Sequence, residues 1–308
     1  MEQLVDLKVG FSCNNNCIHC VVSDKFREKD LTLCEIKKII NSYIEQYREI
    51  KLTLTGGEVT IRNDFVELMS FIKEKKDDGK ILFVDLQTNG RMLSCDNLLN
   101  AAIGVVDFYL MALHGDVQKI HDSITRSNGS FVQTICAIDK IFNFVGPEKI
   151  AIQTVINRKN YRRLKKIYSF AYENIGIKEF NMTFPHPIGI CYSQKVVPTY
   201  KEVQPYVNEA LAYCLKKGIK PYIEALPLCI FRSNNNRKYA LDFISHKCTN
   251  VVGYAGEKDG KINYKELFSS GHLKYKTCSN CRYNYTCDGV WKEYLWLYPN
   301  ENMTNLMK

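Results

Sequence analysis

No apolar run in this 308-residue chain approaches the roughly 18 to 20 residues needed to span a bilayer. The opening MEQLVDLKVGF also lacks a basic segment followed by an apolar one, so neither a membrane span nor a secretory signal is expected and a cytoplasmic location is. Proline is scarce, at 8 residues, and there are no internal repeats or low-complexity runs, which excludes collagen-like and disordered classes. Acidic residues are in deficit, 33 against 42 Lys and Arg. The resulting charge of +9 favours an acidic partner such as a small electron carrier, an acidic peptide or nucleic acid.

Cysteine, by contrast, is abundant. Thirteen cysteines without a secretion signal argue against a disulfide framework and for metal or cluster ligation. Cys13, Cys17 and Cys20 stand together near one end, and Cys278, Cys281 and Cys287 near the other, which implies two metal centres. Three thiolates suit an iron–sulfur cubane with one iron left open, whereas structural zinc needs a fourth ligand, for which His19 is available. Cys34, Cys95, Cys136 and Cys214 read as small buried hydrophobes on or near helices.

Short apolar segments at 4–10, 50–55, 81–87, 105–113, 149–156 and 177–184 alternate with amphipathic stretches. The first of these stretches carries a capping-box pattern in Thr32 and Glu35, followed by Ile36, Ile39, Ile40, Tyr43 and Ile44 on one face. Six successive β-α units predict an α/β fold with a parallel sheet, open or partly closed into a barrel, and ligands at the carboxyl ends of its strands. Alternation stops near Leu226, so the chain divides into a sheet domain, 1–225, and a cysteine-rich appendage, 226–308. The polar strand ends are the candidate site: Gly56-Gly57-Glu58, Gln87-Thr88-Asn89-Gly90, and Leu113-His114-Gly115 running on to His121-Asp122, Thr125-Arg126 and Gly129-Ser130-Phe131. Glycines there let a ligand approach the backbone, and a carboxylate can hold an ammonium group.

The C-x3-C-x2-C loop, the Gly-Gly-Glu, the Thr-Asn-Gly and the HG…HDSITRSNGSF segment together resemble the radical S-adenosylmethionine superfamily, in its branch with a cysteine-rich extension of the SPASM or twitch kind. The resemblance covers nearly the whole chain and implies a partial (β/α)6 TIM-like barrel followed by a small twitch-like extension. It implies that Cys13, Cys17 and Cys20 hold a [4Fe-4S] cluster and that Gly56, Gly57 and Glu58 meet the methionyl ammonium of S-adenosylmethionine. Thr88 and Asn89 would line the same pocket, Arg126 would neutralise the cofactor's carboxylate, and Asn157 would lie near the ribose or adenine. Cys278, Cys281 and Cys287 would hold one auxiliary [4Fe-4S] cluster, with Cys229 as fourth ligand and Cys248 as the alternative, or a structural zinc in its place.

Two departures stand out: Val59 where many relatives have proline, and Ala112 where related enzymes often carry a serine that reaches the cofactor. His114 and His121 read first as packing or capping residues. Cys191, just after the sixth strand, is a candidate hydrogen-atom donor to a substrate radical.

The resemblance further implies reductive cleavage of S-adenosylmethionine to a 5′-deoxyadenosyl radical that removes a substrate hydrogen, fed by an acidic donor such as flavodoxin or ferredoxin. A ribosomally made peptide is the expected substrate, the product being a crosslink, thioether, epimer or oxidised residue. The first strand starts too early for a fused leader-binding domain, so a separate recognition protein or direct binding is expected. The alternative is oxidation or rearrangement of a small molecule, a sugar alcohol or cofactor precursor. A molybdopterin-precursor cyclase is disfavoured because such relatives end in Gly-Gly, and this chain ends in Asn305-Leu306-Met307-Lys308. RNA modification rests on the charge of +9 and on the basic segment 158–166, which reads first as the solvated side of a helix. A non-catalytic iron–sulfur electron-transfer protein is the remaining class.

Overall fold

The computed structural model describes residues 3–21, 30–233, 236–240, 251–254, 261–263 and 271–301. Seven strands, β1 (Gln3–Lys8), β2 (Ile50–Thr55), β3 (Ile81–Thr88), β4 (Phe108–Ala112), β5 (Ile150–Val155), β6 (Glu179–Thr183) and β7 (Lys220–Glu224), lie side by side in sequence order, each parallel to the next. This is the open half barrel expected, with one unit more than the six predicted. β7 escaped because KPYIE is short, carries proline and is charged at both ends. Two further strands, β8 (Val251–Tyr254), parallel to β1, and β9 (Lys261–Asn263), antiparallel to β8, extend the β1 edge. The segment beyond Leu226 therefore supplies strands to the main sheet.

Helices α1 (Leu33–Tyr47), α2 (Phe65–Asp77), α3 (Asp96–Ala102), α4 (Gln118–Thr125), α5 (Ser130–Val145), α6 (Leu164–Ile175) and α7 (Tyr200–Lys217) connect the parallel strands. The capping box at α1 is present in both directions: the Glu35 N–H donates to Thr32 Oγ1 at 3.3 Å and the Thr32 N–H to Glu35 Oε2 at 2.7 Å. A second box, Thr199 with Glu202, opens α7. α5 begins after Gly129, which has no side chain to cap it. The Asp122 carboxylate does so from outside, accepting from the N–H groups of Gly129 and Phe131 and from Ser130 Oγ, each at 2.8 Å. Part of the HDSITRSNGSF pattern is thus a remote helix cap. Of the four cysteines expected to be buried hydrophobes, only Cys214 is buried. Cys34, Cys95 and Cys136 are exposed, because each falls on the outward side of its helix or turn.

Alternation along the strands sorts the sheet into two unlike faces. Val5, Leu7, Leu52, Leu54, Val84, Leu86, Met111, Ile152, Phe180 and Met182 are fully buried, in one contiguous core with the helices. The opposite, concave face is polar: Thr53 donates to Asp85 Oδ2 at 3.3 Å, Thr55 to Gln87 Oε1 at 3.2 Å, and Thr183 to Glu224 Oε2 at 3.2 Å. The buried Asp85 Oδ1 has no hydrogen-bond partner. Burial, opposed by the Thr53 and Gln87 hydrogen bonds, raises its pKa from 3.8 to about 7.

Because the unfolded chain loses this proton near pH 4 and the folded chain near pH 7, stability falls as the pH rises between them. Asp85→Asn is expected to raise stability at pH 8 by up to about 4 kcal/mol while leaving it near the parent's at pH 4. Urea unfolding at the two pH values measures this, and an equal effect at both contradicts it.

Candidate active site

The loop that leaves β1 carries Cys13, Cys17 and Cys20, and it is pinned from several sides. Asp30 Oδ1 accepts the N–H groups of Phe11 and Ser12, at 2.7 and 3.0 Å. The N–H groups of Asn16 and Ile18 donate to the carbonyls of Thr125 and Ile124 at the end of α4. Arg91 reaches over from β3's end to Asn15 Oδ1 and Ser127 Oγ, both 2.8 Å away, and to the Asn14 carbonyl. Asn89 Nδ2 donates to Asn14 Oδ1 at 2.8 Å.

Gly56 and Gly57 are explained by the same close approach. Their turn lies against the first loop, with Gly57 N–H on the Gly10 carbonyl and Glu58 N–H on the Ser12 carbonyl, both at 2.8 Å. A Cβ on Gly56 would come within 2.2 Å of the Gly10 oxygen, and one on Gly57 within 2.2 Å of the Ser12 oxygen. Gly56 also holds φ at +128°, which side chains resist.

Glu58 is 3% exposed, and its carboxylate is fully engaged by protein. Oε1 accepts from Thr60 N–H (3.1 Å), Thr60 Oγ1 (2.6 Å) and Thr88 Oγ1 (2.6 Å), and Oε2 from the Asn89 N–H (2.7 Å). It ties the end of β2 to the end of β3, and it is the glycine backbone that faces outward.

A cavity of about 350 Å³ opens over the carboxyl ends of the strands. Among the residues the sequence singled out, Cys13, Cys17, Cys20, Gly56, Gly57, Thr88, Asn89, Ala112 and His114 line it, together with His19, Gln87, Gln153, Thr183, His186, Glu224 and Trp291. Four expected residues lie elsewhere. Glu58 is turned inward as described. Arg126 caps α4 with a left-handed backbone (φ 53°) and an exposed side chain. Asn157 spends its side chain on its own turn, donating to the Val155 carbonyl and accepting the Lys159 N–H. Cys191 is fully buried, burial and then the nearby Cys20 push its thiol up to about 12, and it is not among the residues lining the cavity. Arg91, which the sequence reading passed over, clamps the cysteine loop at Asn14 and Asn15. Its place one residue after Thr-Asn-Gly was the available signal.

His19 of the cysteine loop packs with two further buried histidines, His114 and His121. The His19 and His114 rings meet edge to face at 4.4 Å, and His114 and His121 stack at 5.9 Å. Burial keeps all three neutral: it lowers His19 to about 3, His121 to about 4, and His114 well below the ordinary value. Among the described residues, Cys17, His19 and His114 bring a sulfur and two ring nitrogens within 4.8 Å of one another.

The second cysteine group is also brought together. Cys229, Cys278, Cys281 and Cys287 line one apolar pocket of about 30 Å³. Burial first, then the neighbouring Cys287, Cys278 and Cys281, push the Cys229 thiol up to about 12. Main-chain N–H groups of Leu228 and Tyr283 point at the sulfurs of Cys287 and Cys281, at 3.5 and 3.4 Å. Four thiols crowded in an apolar pocket repel one another on ionisation, and a cation resolves the conflict. Cys248 lies outside the described residues. A short antiparallel ladder, β10 (His272–Leu273) with β11 (Val290–Trp291), separates the two cavities: Trp291 lines the large one, while Leu273 and Val290 line the small one. The Trp291 ring is sandwiched between His186 (3.8 Å) and His272 (3.9 Å), and His186 Nε2 meets Glu293 Oε2 at 3.0 Å.

A half barrel whose first loop carries three cysteines beside a glycine-paved strand end defines a cofactor-dependent radical enzyme. Residues 7–171 match the Radical SAM superfamily, and the chain belongs to it. Members of this superfamily bind a [4Fe-4S] cluster and S-adenosylmethionine. Among curated relatives, a probable GTP 3′,8-cyclase of Sulfurisphaera tokodaii is 28% identical over 61% of this chain and 58% of its own length. The mycofactocin maturase MftC of Mycolicibacterium smegmatis is 28% identical over 53% of this chain and 40% of its own. The match thus spans about half the length of these relatives. In fold, the chain resembles Streptococcus suis SuiB bound to precursor peptide SuiA (TM-score 0.64, 14% identity, 96% of this chain and 73% of that one). It resembles anSMEcpe with bound AdoMet equally (TM-score 0.65, 15% identity, 97% and 92%). Among the described residues no helix is long and apolar enough to cross a membrane.

Glu58→Ala would strand four buried donors. It is expected to destabilise the iron-free chain by about 3 kcal/mol or more, and Glu58→Gln by about 1–3 kcal/mol, as read from urea unfolding. A loss below about 0.5 kcal/mol in Glu58→Ala would refute the bracing role.

Proposed function

We propose that this chain is a radical S-adenosylmethionine enzyme that modifies a peptide, with Cys13, Cys17 and Cys20 holding the catalytic cluster. The residues present fit that group: three half-buried thiols, N–H donation from Asn15 to Cys13 Sγ at 3.4 Å, and two glycines lining the cavity beside them. When bound, the cluster supplies the electron that cleaves S-adenosylmethionine, and the resulting 5′-deoxyadenosyl radical removes a hydrogen atom from the substrate. The chain's own part is to hold and shield. The Gly56–Gly57 backbone faces the methionyl end, Thr88 and Asn89 line the same wall, and the neutral histidines add no competing charge. Division of labour follows the compositional boundary, with 1–225 as the cofactor half and 226–308 as the twitch-like half.

In the second half, Cys229, Cys278, Cys281 and Cys287 hold an auxiliary [4Fe-4S] cluster. Four thiolates would leave no iron of such a cluster open to substrate, and the chemistry it would supply is electron transfer. An acidic flavodoxin or ferredoxin in the cytoplasm serves as donor, drawn by the chain's positive charge.

The observation that carries the peptide reading is the charge of the large cavity. Its described lining contains one carboxylate, Glu224, and no Lys or Arg. A nucleoside triphosphate needs cationic side chains about its phosphates. The cyclase reading, which returns with the relatives, finds no such side chain in the described lining. A neutral or cationic peptide side chain suits this lining, and an uncharged small molecule is the second reading. RNA modification is opposed by the pairing of Arg158 with Glu202, Arg163 with Asp116 and Lys165 with Glu209, which neutralises much of the basic segment.

Anaerobic reconstitution with iron and sulfide should load about eight irons, and about four fewer in both Cys17→Ala and the triple Cys278, Cys281, Cys287→Ala variant. With dithionite, 5′-deoxyadenosine is expected from the parent and the triple variant and not from Cys17→Ala, and GTP should not be consumed. Turnover of GTP would overturn the substrate reading. No nucleoside from a fully loaded parent would point to an electron-transfer protein, and bound zinc would overturn the cluster assignment.

A further inference from the structure

His114 follows β4 directly and is 3% exposed. One main-chain N–H meets its ring, and its own main-chain groups are tied down by two side chains. The Val155 N–H donates to His114 Nδ1 at 3.4 Å, the His114 N–H donates to His121 Nδ1 at 3.2 Å, and Asn160 Nδ2 donates to the His114 carbonyl at 3.1 Å. The His19 ring packs across it. Because Nδ1 accepts from a main-chain N–H, which cannot change role, the neutral imidazole carries its proton on Nε2.

That tautomer decides what the Cys17–His19–His114 group can be. Grouped within 4.8 Å, the three atoms look like a tetrahedral metal set. Ligation through Nε2 would move the proton to Nδ1, where it would face the Val155 N–H donor against donor. One His114 ring nitrogen lies within 4.8 Å of Cys17 Sγ, and in this tautomer Nε2 is the nitrogen able to donate. We propose that His114 donates an Nε2–H···S hydrogen bond to the Cys17 thiolate and thereby sets the reduction potential of the cluster at Cys13, Cys17 and Cys20. This inference rests on the cluster reading given above. An N–H donor draws charge from a thiolate, which favours the more negative, reduced state of the cluster, and in a buried site the effect is not screened by water. His114 is thus a positioning residue that makes the cluster easier to reduce. Val155 is its orienting partner through the backbone, beyond the reach of side-chain substitution.

The test uses the reconstituted full chain and the EPR signal that Cys17→Ala abolishes. In His114→Phe, which keeps a ring and loses the donor, the midpoint is expected to move negative. The shift should lower the ratio of reduced to oxidised cluster about tenfold at a fixed potential, which for one electron is 59 mV. His114→Gln, which retains an N–H, should recover most of the shift. In the parent, a proton coupling to the reduced cluster should vanish in deuterated water. It should also be missing from His114→Phe.

An unmoved potential in His114→Phe with its irons retained overturns the inference. Absence of an exchangeable coupling in the parent does so too, even where the variant fails to fold. Zinc bound by the iron-free chain in a manner that needs Cys17, His19 and His114 together would also overturn it, since those atoms would then be ligands. If Cys17→Ala keeps its full iron and signal, the cluster reading itself is wrong, an outcome distinct from the others.

Discussion

The carboxylate of Glu58 is the contact on which the site depends. Four donors from two adjoining strand ends converge on it, and the main-chain N–H next to it reaches the cysteine loop at Ser12. A parallel sheet aligns its strands through backbone bonds, but the loops beyond the strand ends have no such ladder. A buried carboxylate with both oxygens in use supplies the missing register. The glycines beside it then bring two backbones into contact, leaving a smooth wall above which a cofactor can sit.

The cavity above that wall owes its character to the concave face of the sheet. Helices cover the outer face with aliphatic side chains, and the inner face carries Thr, Gln, Asn, Asp and Glu in paired rows. A half barrel leaves this face open where a closed barrel would fill it with apolar layers. Polar groups there can be satisfied by neighbours on the next strand, as Thr55 is by Gln87 and Thr183 by Glu224. Radical chemistry in such a cavity gains from the neutrality of the histidines, since protonated rings would act as stray acids close to the reacting atoms.

Two thin elements couple the halves of the molecule. The β10–β11 ladder is only two residues long in each strand, yet alternation puts Trp291 on the large cavity and Val290 on the four-cysteine pocket. The aromatic sandwich of His186, Trp291 and His272 stiffens it. The same segment runs into the helix Lys292–Leu297, whose buried Tyr294 donates to Glu301 and packs on Phe184 and Tyr200 of the half barrel. The same two-residue strand thus borders both cavities.

The sequence by itself determined the parallel α/β architecture, the capping of α1 and the two groups of thiols. These rest on local pattern: apolar period, cap chemistry and cysteine spacing, each legible within a dozen residues. Arg126, Asn157, Cys191 and the direct cofactor contact of Glu58 were read from motif position, and position along the chain does not say where a side chain points. Arg126 sits on a helix end facing away, Asn157 folds back on its own turn, and Cys191 is covered by core. Only the tertiary structure decided that Arg91 clamps the cysteine loop, that Cys229 meets three cysteines about fifty residues away, and that His114 is held in one tautomer beside Cys17. Each of these depends on segments far apart in sequence being brought within hydrogen-bond or van der Waals range. That proximity is set by the packing of the whole sheet, and no local pattern encodes it.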